Sequence, residues 1–403
     1  MTKKKNISPL ENKMILLGVT GSIAAYKSAD LASSLVKLGA NVHVLMTSSA
    51  LNFIGSETFK GITHNKVFYD LWSEENDYIE HINLGLKADC MVIAPCTSNT
   101  ISKLALGVSD DPISTTALSI RKKLLIAPAM DGEMFEKFST QNNIKILKKF
   151  GVNFIGPEIG NLASGIIGIG RMSENSEIIG NIRKILGEDG DYKNKNIVVS
   201  AGGTIESIDP VRHITNKSSG LMGFSLAEAA RDRGAKVTLV TSSKKYNKSS
   251  GIKVIKTSTG DDFKKHLKKA CEKSDLLIMA AAISDFIPTN IFHDKIKKNE
   301  EKISLEFKPV KNWLDDIGDE NLIKIIFSAE TTDLVSNAKN KLNKKNIPFV
   351  VANDVTKEGS GFSSETNIVT FIWRNGKIEH LPKIPKINVA HEILDRTVSL
   401  INK

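Results

Sequence analysis

The stretch "GANVHVLMTSS" (Gly39–Ser49) returns far along the chain as "GAKVTLVTSS" (Gly234–Ser243), and this repetition constrains the fold more than any other feature. Each copy follows a helical-looking segment, "SLVKLGA" or "EAARDRGA". In both, Gly stands where a helix ends in a left-handed cap. A run of Val and Leu closed by Thr and Ser then reads as a buried strand. The preceding halves are duplicated too. "KMILLGVTGS" (Lys13–Ser22) is a strand entering a Gly-Ser turn and a helix, and "KNIVVSAGGT" (Lys195–Thr204) is a strand entering a Gly-Gly turn. A third pair, "ADCMVIAPCTSNT" (Ala88–Thr100) and "SDLLIMAAAISDF" (Ser274–Phe286), sets an Asp ahead of an apolar strand that ends in small residues. Repetition of a whole strand–helix–strand order predicts an α/β protein of two doubly wound, Rossmann-like domains. Each would bind ligand at the C-terminal ends of its strands.

Bulk properties agree. A chain of 403 residues, 41% hydrophobic, suits two packed cores. No apolar run reaches the roughly 18 residues of a membrane span, and the basic start "MTKKKNISPLEN" lacks the apolar core of a signal peptide. A cytoplasmic protein away from membranes is expected. Cys90, Cys96 and Cys271 form no disulfide framework and no metal-ligand spacing. The net charge of +10 invites a nucleic-acid reading, but only 8 of the 55 basic residues are Arg and aromatics are 6%. Nucleic-acid readers favour forked Arg contacts and aromatic stacking. The charge therefore reads as a solvated Lys-rich surface that attracts phosphorylated metabolites. The polar, Gly-bearing "LGEDGDYKNKN" (Leu186–Asn196) sets the boundary: a first domain at 1–187, a linker at 188–194, a second domain at 195–403.

In the first domain, "GVTGSIAAYK" (Gly18–Lys27) lacks the spacing of a dinucleotide fingerprint but offers one anion site at Gly21, Ser22 and Ile23. Alone it reads equally as a tight turn. Two more polar strand ends share that edge: "MTSSA" with Thr47, and "PCTSNT" with Thr97, Ser98, Asn99 and Thr100. Three such loops favour a mononucleotide. His81 lies just before an amphipathic helix in "YIEHINLGLKADC", where a lone histidine also reads as structural. "LLIAPAMDGEMF" (Leu124–Phe135) is a strand emptying into a polar turn, and the glycine-rich "GNLASGIIGIGRM" (Gly160–Met172) reads as a mobile lid or a surface loop.

The order "TGSIAAYK … MTSSA … HINL … ADCMVIAPCTSNTISKLALGVSDD … APAMDGEM … LASG…GRM" resembles the flavin-dependent cysteine decarboxylases, nearest the phosphopantothenoylcysteine decarboxylases, over residues 14 to about 183. The resemblance implies a flavodoxin-like domain with FMN held by Gly21, Ser22, Ile23, Thr47 and Thr97–Thr100. In that family the substrate's cysteine side chain is oxidised to a thioaldehyde with FMN as acceptor. The carboxylate leaves, and the resulting ene-thiol is reduced again. His81 matches the family's essential histidine, suited to proton transfer near neutral pH, and Asp131 and Met134 fall at substrate contacts. Two positions depart from the pattern. Asp131 replaces an Asn that contacts the substrate carboxylate, so that contact differs or Asp131 is protonated. Ser164 replaces the Cys that donates the last proton, and a hydroxyl is a far weaker acid than a thiol.

The second domain opens with "VSAGGTIESIDPVRHITNKSSGLMGFSLAEAARDRGA" (Val199–Ala235), a long polar insertion between strand and helix. Such insertions at strand ends in compact domains are usually functional. Asp285 ends a strand ten residues before "KIKK" (Lys295–Lys298). An acidic residue with a basic cluster suits Mg²⁺ and a triphosphate, although a bare "KIKK" also reads as a solvated charge run.

Together with "FSAET" and "VANDV", these motifs resemble the phosphopantothenate–cysteine ligases from residue 195 to about 400. The resemblance implies use of CTP: the pantothenate carboxylate attacks the α-phosphate to give an acyl-cytidylate, and the cysteine amine then displaces CMP. It also implies roles by position. Asn216 holds the acyl-cytidylate with Arg212 beside it, and Lys295 meets the triphosphate. Met279, Ala280, Ala281, Asp285, Phe327, Lys341 and Lys345 contact the nucleotide, and Asp285 faces Mg²⁺. Leu221 stands where Lys is usual, and "KNWLDDIG", with Asn312, stands where "NPDI" is usual.

The two halves resemble consecutive steps of coenzyme A biosynthesis, with 4′-phosphopantothenate, cysteine and CTP as small-molecule partners. They imply a homo-oligomer, up to a dodecamer, with decarboxylase sites at trimer contacts and ligase sites at dimer contacts. Alternative readings are a flavin-binding regulatory protein, whose long acidic tail is missing here, and a decarboxylase that releases the ene-thiol.

Overall fold

A computed structural model describes residues 9–73, 79–244, 246, 251–298, 304–310, 312–330, 334–342, 347–354, 359, 361 and 364–401. The chain forms two compact units, Met1–Gly187 and Glu188–Lys403.

The first unit runs β1 (Met14–Val19), α1 (Ala25–Lys37), β2 (Asn41–Met46), α2 (Ser56–Thr63), α3 (Glu80–Lys87), β3 (Cys90–Cys96) and α4 (Ser98–Leu106). It continues through α5 (Pro112–Ser119), β4 (Lys123–Pro128), α6 (Gly132–Glu136), α7 (Phe138–Lys149), β5 (Asn153–Phe154), β6 (Glu158–Asn161), β7 (Ile167–Arg171) and α8 (Asn175–Gly187). Five parallel strands make one sheet in the order β2-β1-β3-β4-β5. Alternate residues of β1 serve opposite faces. Ile15, Leu17 and Val19 pack with Leu31 and Leu35 of α1 and Ile178 and Ile182 of α8, whereas Leu16 joins Met91, Ile93 and Ile113. That two-sided burial explains why these strands read as continuous apolar runs. This order is the flavodoxin-like doubly wound one, and its switch point lies between β1 and β3.

The second unit runs β8 (Asn196–Ala201), β9 (Ile205–Ser207), β10 (His213–Thr215), α9 (Leu221–Arg231), β11 (Lys236–Thr241), β12 (Ile252–Lys256), α10 (Gly260–Cys271), β13 (Leu276–Met279), β14 (Phe286–Pro288) and β15 (Phe307–Pro309). Then follow β16 (Ile323–Glu330), α11 (Leu334–Leu342), β17 (Phe349–Asp354), β18 (Thr366–Asn367), β19 (Val369–Trp373), β20 (Ile378–His380), β21 (Ile384–Pro385) and α12 (Lys386–Ile401). Its sheet has the order β12-β11-β8-β13-β16-β17-β19-β20. The strands are parallel through β17, and the last two are antiparallel. Counted from β8, the parallel part has the dinucleotide-fold order, with its switch point between β8 and β13. Ile197 and Val199 pack toward α9 and α12, and Val198 packs toward Phe263 and Leu267 of α10.

The repeated phrases occupy equivalent places. Gly39 and Gly234 both follow the first helix of their unit with φ of 91°, a conformation that favours glycine. The segment expected as a linker is anchored instead. Tyr192 is fully buried, its hydroxyl donates to the Leu394 carbonyl at 2.6 Å, and Arg233 lies 5.1 Å over its ring. A large aromatic with a satisfied hydroxyl joins residues 188–194 to the second core.

Among the described residues no helix is long and apolar enough to cross a membrane. All three cysteines are buried and free. Burial pushes the Cys90 and Cys271 thiols up to about 12, and Cys96 up as well. The thiolate is the reactive form, so native protein at pH about 8 should take up almost no iodoacetamide, and unfolded protein should take up label at all three. Rapid native labelling, read by mass spectrometry, would contradict this packing.

Candidate functional sites

In the first unit, the C-terminal strand ends carry the predicted flavin residues. Thr20 ties the β1 and β3 turns together: its hydroxyl donates to the Pro95 carbonyl at 2.8 Å and accepts from the Thr97 N–H at 3.1 Å. Gly21 is required by a close approach, since a Cβ there would sit 2.5 Å from Cβ of Ser49. Thr47 accepts from the Ala50 N–H, and Thr97 caps α4 by accepting from the Thr100 N–H. Ile23 and Asn99 are exposed and Ser22 is half-buried. Thr100 is 1% exposed and shares a hydroxyl hydrogen bond with Thr97, so it supports the turn from behind.

The first turns of α1 and α4 contain no acidic side chain. Neutral donors at a helix N-terminus, beside the β1/β3 switch point, form a donor set that fits the phosphate of a flavin mononucleotide.

His81 is the second residue of α3 rather than a residue ahead of it. Ile79 occupies the cap without a side-chain bond, and the helix is held from behind by Ser119, whose hydroxyl donates to the His81 carbonyl at 2.8 Å. The imidazole is half-buried, and no hydrogen bond joins it to Asp131 or Ser164.

Those two residues do meet. Asp131 caps α6 by accepting from the Glu133 N–H at 3.1 Å, and its other oxygen accepts from the Ser164 hydroxyl at 2.7 Å. The predicted lid is the β6–β7 hairpin. It docks through the Met130 N–H, which donates to the Gly170 carbonyl at 3.1 Å, and its tip turns at Gly165 with φ of 82°. A Cβ on Gly132 would lie 2.9 Å from the Ile169 carbonyl oxygen, so glycine permits this docking. A carboxylate only accepts hydrogen bonds, whereas an amide also donates. Asp131 and the hydroxyl of Ser164 are thus complementary. Met134 is exposed on α6.

In the second unit, most of the predicted residues converge on a cavity of about 640 Å³ at the β8/β13 switch point, a size suited to a nucleotide. Asn216, Met279, Ala280, Ala281, Asp285, Phe327 and Lys341 all line it, as does Asn312. Two turns build the rim. The Thr204 N–H donates to the Ala282 carbonyl, and the Ala282 N–H donates to the Gly202 carbonyl at 2.8 Å. The Asn216 amide donates to the carbonyls of Ala282 and Ile283 at 3.2 and 3.4 Å. Lys341 donates to the Ser328 hydroxyl at 2.7 Å. Ser218, Ser219 and Gly220 bring the N-terminus of α9 to the same cavity, again without acidic residues in the first turn.

Arg212 and Lys295 are not lining residues, but Arg212 donates to the Ile296 carbonyl at 3.1 Å. Lys345 lies outside the described residues. Among the described residues no three His, Cys, Asp or Glu side chains gather at one point. Asp285 stands as a single carboxylate, a donor set that fits a Mg²⁺ held mainly by substrate phosphates.

Sequence reading missed Asn353, Asn367 and Lys386, which also line the cavity. Lys386 is 5% exposed, and burial pushes its ammonium below the usual range. The available signal was a lysine opening an amphipathic helix, the end where the helix dipole disfavours a cation.

Residues 3–187 match the Flavoprotein family, and residues 192–400 match the DNA/pantothenate metabolism flavoprotein C-terminal domain. The chain is 38% identical over 397 residues to the coenzyme A biosynthesis bifunctional protein CoaBC of Bacillus subtilis, covering 97% of this chain and 98% of that one. The corresponding protein of Borreliella burgdorferi is 39% identical over 391 residues, covering 95% and 98%. A cysteine/cysteine sulfinic acid decarboxylase from an unknown prokaryotic organism is 36% identical over 354 residues, covering 86% and 99%.

Proposed function

The chain belongs to the family of coenzyme A biosynthesis bifunctional proteins, and from that premise we propose which unit and which residues carry each reaction. It catalyses two steps: ligation of 4′-phosphopantothenate with cysteine, and FMN-dependent decarboxylation of the 4′-phosphopantothenoylcysteine so formed. Residues 195–403 perform the ligation with CTP and Mg²⁺ through an acyl-cytidylate, and residues 1–187 perform the decarboxylation. The observation that carries the ligase assignment is the cavity at the β8/β13 switch point, which gathers Asn216, Asp285, Phe327 and Lys341. The enzyme acts in the cytoplasm as a homo-oligomer.

In the first unit Gly21–Ile23, Thr47 and Thr97–Asn99 hold the flavin phosphate. FMN, when bound, supplies the electron acceptor and donor that make loss of the carboxylate possible. His81 moves a proton at the substrate, and Asp131 with Met134 and Ser164 covers the substrate under the hairpin. In the second unit Lys295 and Lys341 neutralise the triphosphate, Asp285 holds Mg²⁺, and Arg212 and Asn216 hold the acyl-nucleotide.

The deciding experiment supplies 4′-phosphopantothenate, cysteine and either CTP or ATP, then follows pyrophosphate and carbon dioxide. Both products are expected with CTP, and carbon dioxide only after ligation. Carbon dioxide from free cysteine without nucleotide would instead favour the activity named for the cysteine decarboxylase relative.

A narrower prediction concerns the lid. The Ser164 hydroxyl directs its proton at Asp131, and an aliphatic hydroxyl is a poor acid near neutral pH. Ser164→Ala should retain turnover to 4′-phosphopantetheine within about tenfold of the parent, since the loss is one hydrogen bond at an exposed position, worth about 0.5–1.5 kcal/mol. Stalled, reduced flavin with accumulated ene-thiol would identify Ser164 as the proton donor.

A further inference from the structure

We propose that Asp209 is a positioning residue for the ligase step, fixing the backbone of residues 292–296 so that Lys295 is presented to the nucleotide phosphates. This rests on the triphosphate role given to Lys295 above.

Asp209 sits in the turn between β9 and β10, closed by N–H groups of Ile208 and Asp209 that donate to the Arg212 carbonyl at 2.9 and 3.2 Å. Pro210, Val211 and Arg212 are exposed, yet Asp209 is only 3% exposed. Its carboxylate is fully used. One oxygen accepts from the N–H groups of Val211 at 2.8 Å and Arg212 at 2.7 Å. The other accepts from the Arg212 guanidinium at 2.6 Å and from the Ile296 N–H at 3.2 Å. Burial pushes the carboxyl up, but hydrogen bonds from Val211, Arg212 and Ile296 outweigh it and hold it at about 2.

The first oxygen alone satisfies the turn, a task that Asn or Ser performs as well. The second oxygen reaches a segment distant in sequence, and that is what a carboxylate adds here. Ile296 is gripped on both sides, because the same guanidinium donates to its carbonyl at 3.1 Å. Phe292 adds a third tie through its N–H, which donates to the Ile208 carbonyl at 2.9 Å. Between Thr289 and Lys298 the chain forms neither helix nor strand, so no ladder sets its register. Arg212 is ion-paired with Asp209 through one guanidinium nitrogen, while the neighbouring Lys295 is exposed and makes no ion pair among the described residues. The clamp thus holds one cation's backbone still and leaves its charge available. Small misplacement of such a group costs about 10²-fold in rate.

The test is a double-mutant cycle on the full-length enzyme, following pyrophosphate release with CTP for Asp209→Asn, Lys295→Gln and the double variant. Each single variant should lose at least about tenfold in kcat/KM for nucleotide, and the double should fall within about twofold of Lys295→Gln, because coupled residues are not additive. Amide exchange across residues 292–298 should quicken in the Asp209 variant, while decarboxylation of supplied 4′-phosphopantothenoylcysteine stays at the parent rate. Asp209→Ser, which keeps an oxygen for the turn but none for Ile296, replaces the Asn variant if that does not fold. Losses that multiply in the double variant, or an Asp209 variant at the parent rate, overturn the proposal. Lys295→Gln at the parent rate instead removes the triphosphate role on which it rests.

Discussion

His81→Asn should release carbon dioxide from 4′-phosphopantothenoylcysteine about 10²- to 10⁴-fold more slowly than the parent, the range a positioned general acid or base supplies, while the protein remains yellow. The two effects separate because His81 opens α3, whereas the proposed flavin contacts lie on the β1, β2 and β3 turns. Asn is polar and tolerated in a first helical turn, and the bond that anchors α3 runs from Ser119 to the backbone carbonyl of residue 81, not to its side chain. Folding and flavin content should therefore survive the substitution. What is lost is an imidazole, the side chain whose ordinary pKa lets it both give and take a proton near neutrality. Flavin absorbance and carbon dioxide release, measured on one preparation, check both halves. Near-parent decarboxylation would move proton transfer to another residue, and loss of the yellow colour would make His81 a flavin anchor.

The doubly wound α/β class of both units was legible because repetition and two-sided burial show in the order and composition of the segments. Strands covered on two faces must be apolar throughout, and helices that cap them end at glycines with positive φ, so Gly39 and Gly234 announced the same step twice. Of the cavity residues in the second unit, Met279, Ala280 and Ala281 end or directly follow β13, a place that a strand reading reaches. Phe327, by contrast, lies within β16 and Lys341 on α11, positions that only the ligase resemblance pointed to.

Less visible were features set by tertiary pairing. The β9–β10 hairpin has strands of three residues, too short and too polar for an alternating pattern to register. The meeting of Asp131 and Ser164 depends on how the β6–β7 hairpin docks, a geometry not encoded in either motif. The antiparallel strands β19 and β20 close the sheet without a counterpart in the repeat. Lys386 was hidden because a lysine in sequence reads as surface, and only the packing around it shows a buried ammonium.

The second large effect is expected at Asn216. Its amide donates to the carbonyls of Ala282 and Ile283, closing the insertion loop over the strand end that follows β13. Asn216→Asp replaces that donor with an acceptor, setting a negative charge against two carbonyl oxygens at the cavity wall. The same charge would face the oxyanion that forms when the cysteine amine attacks the acyl-nucleotide. Loss of one such donor costs about 10²- to 10³-fold, and an opposing charge adds to it. In the proposed mechanism attack on CTP depends instead on cations at the triphosphate, so the first half-reaction should persist. Asn216→Asp should thus give a burst of pyrophosphate near one equivalent per site, then stall with acyl-cytidylate bound, whereas Lys295→Gln should show no burst. Rapid-quench measurement of pyrophosphate, with chromatography of the trapped intermediate, separates the two. A variant that keeps ligating cysteine at the parent rate would show that Asn216 closes the loop without touching the acyl group, and the donor for the second half-reaction would then have to be sought among Asn353, Asn367 and Lys386 on the cavity wall.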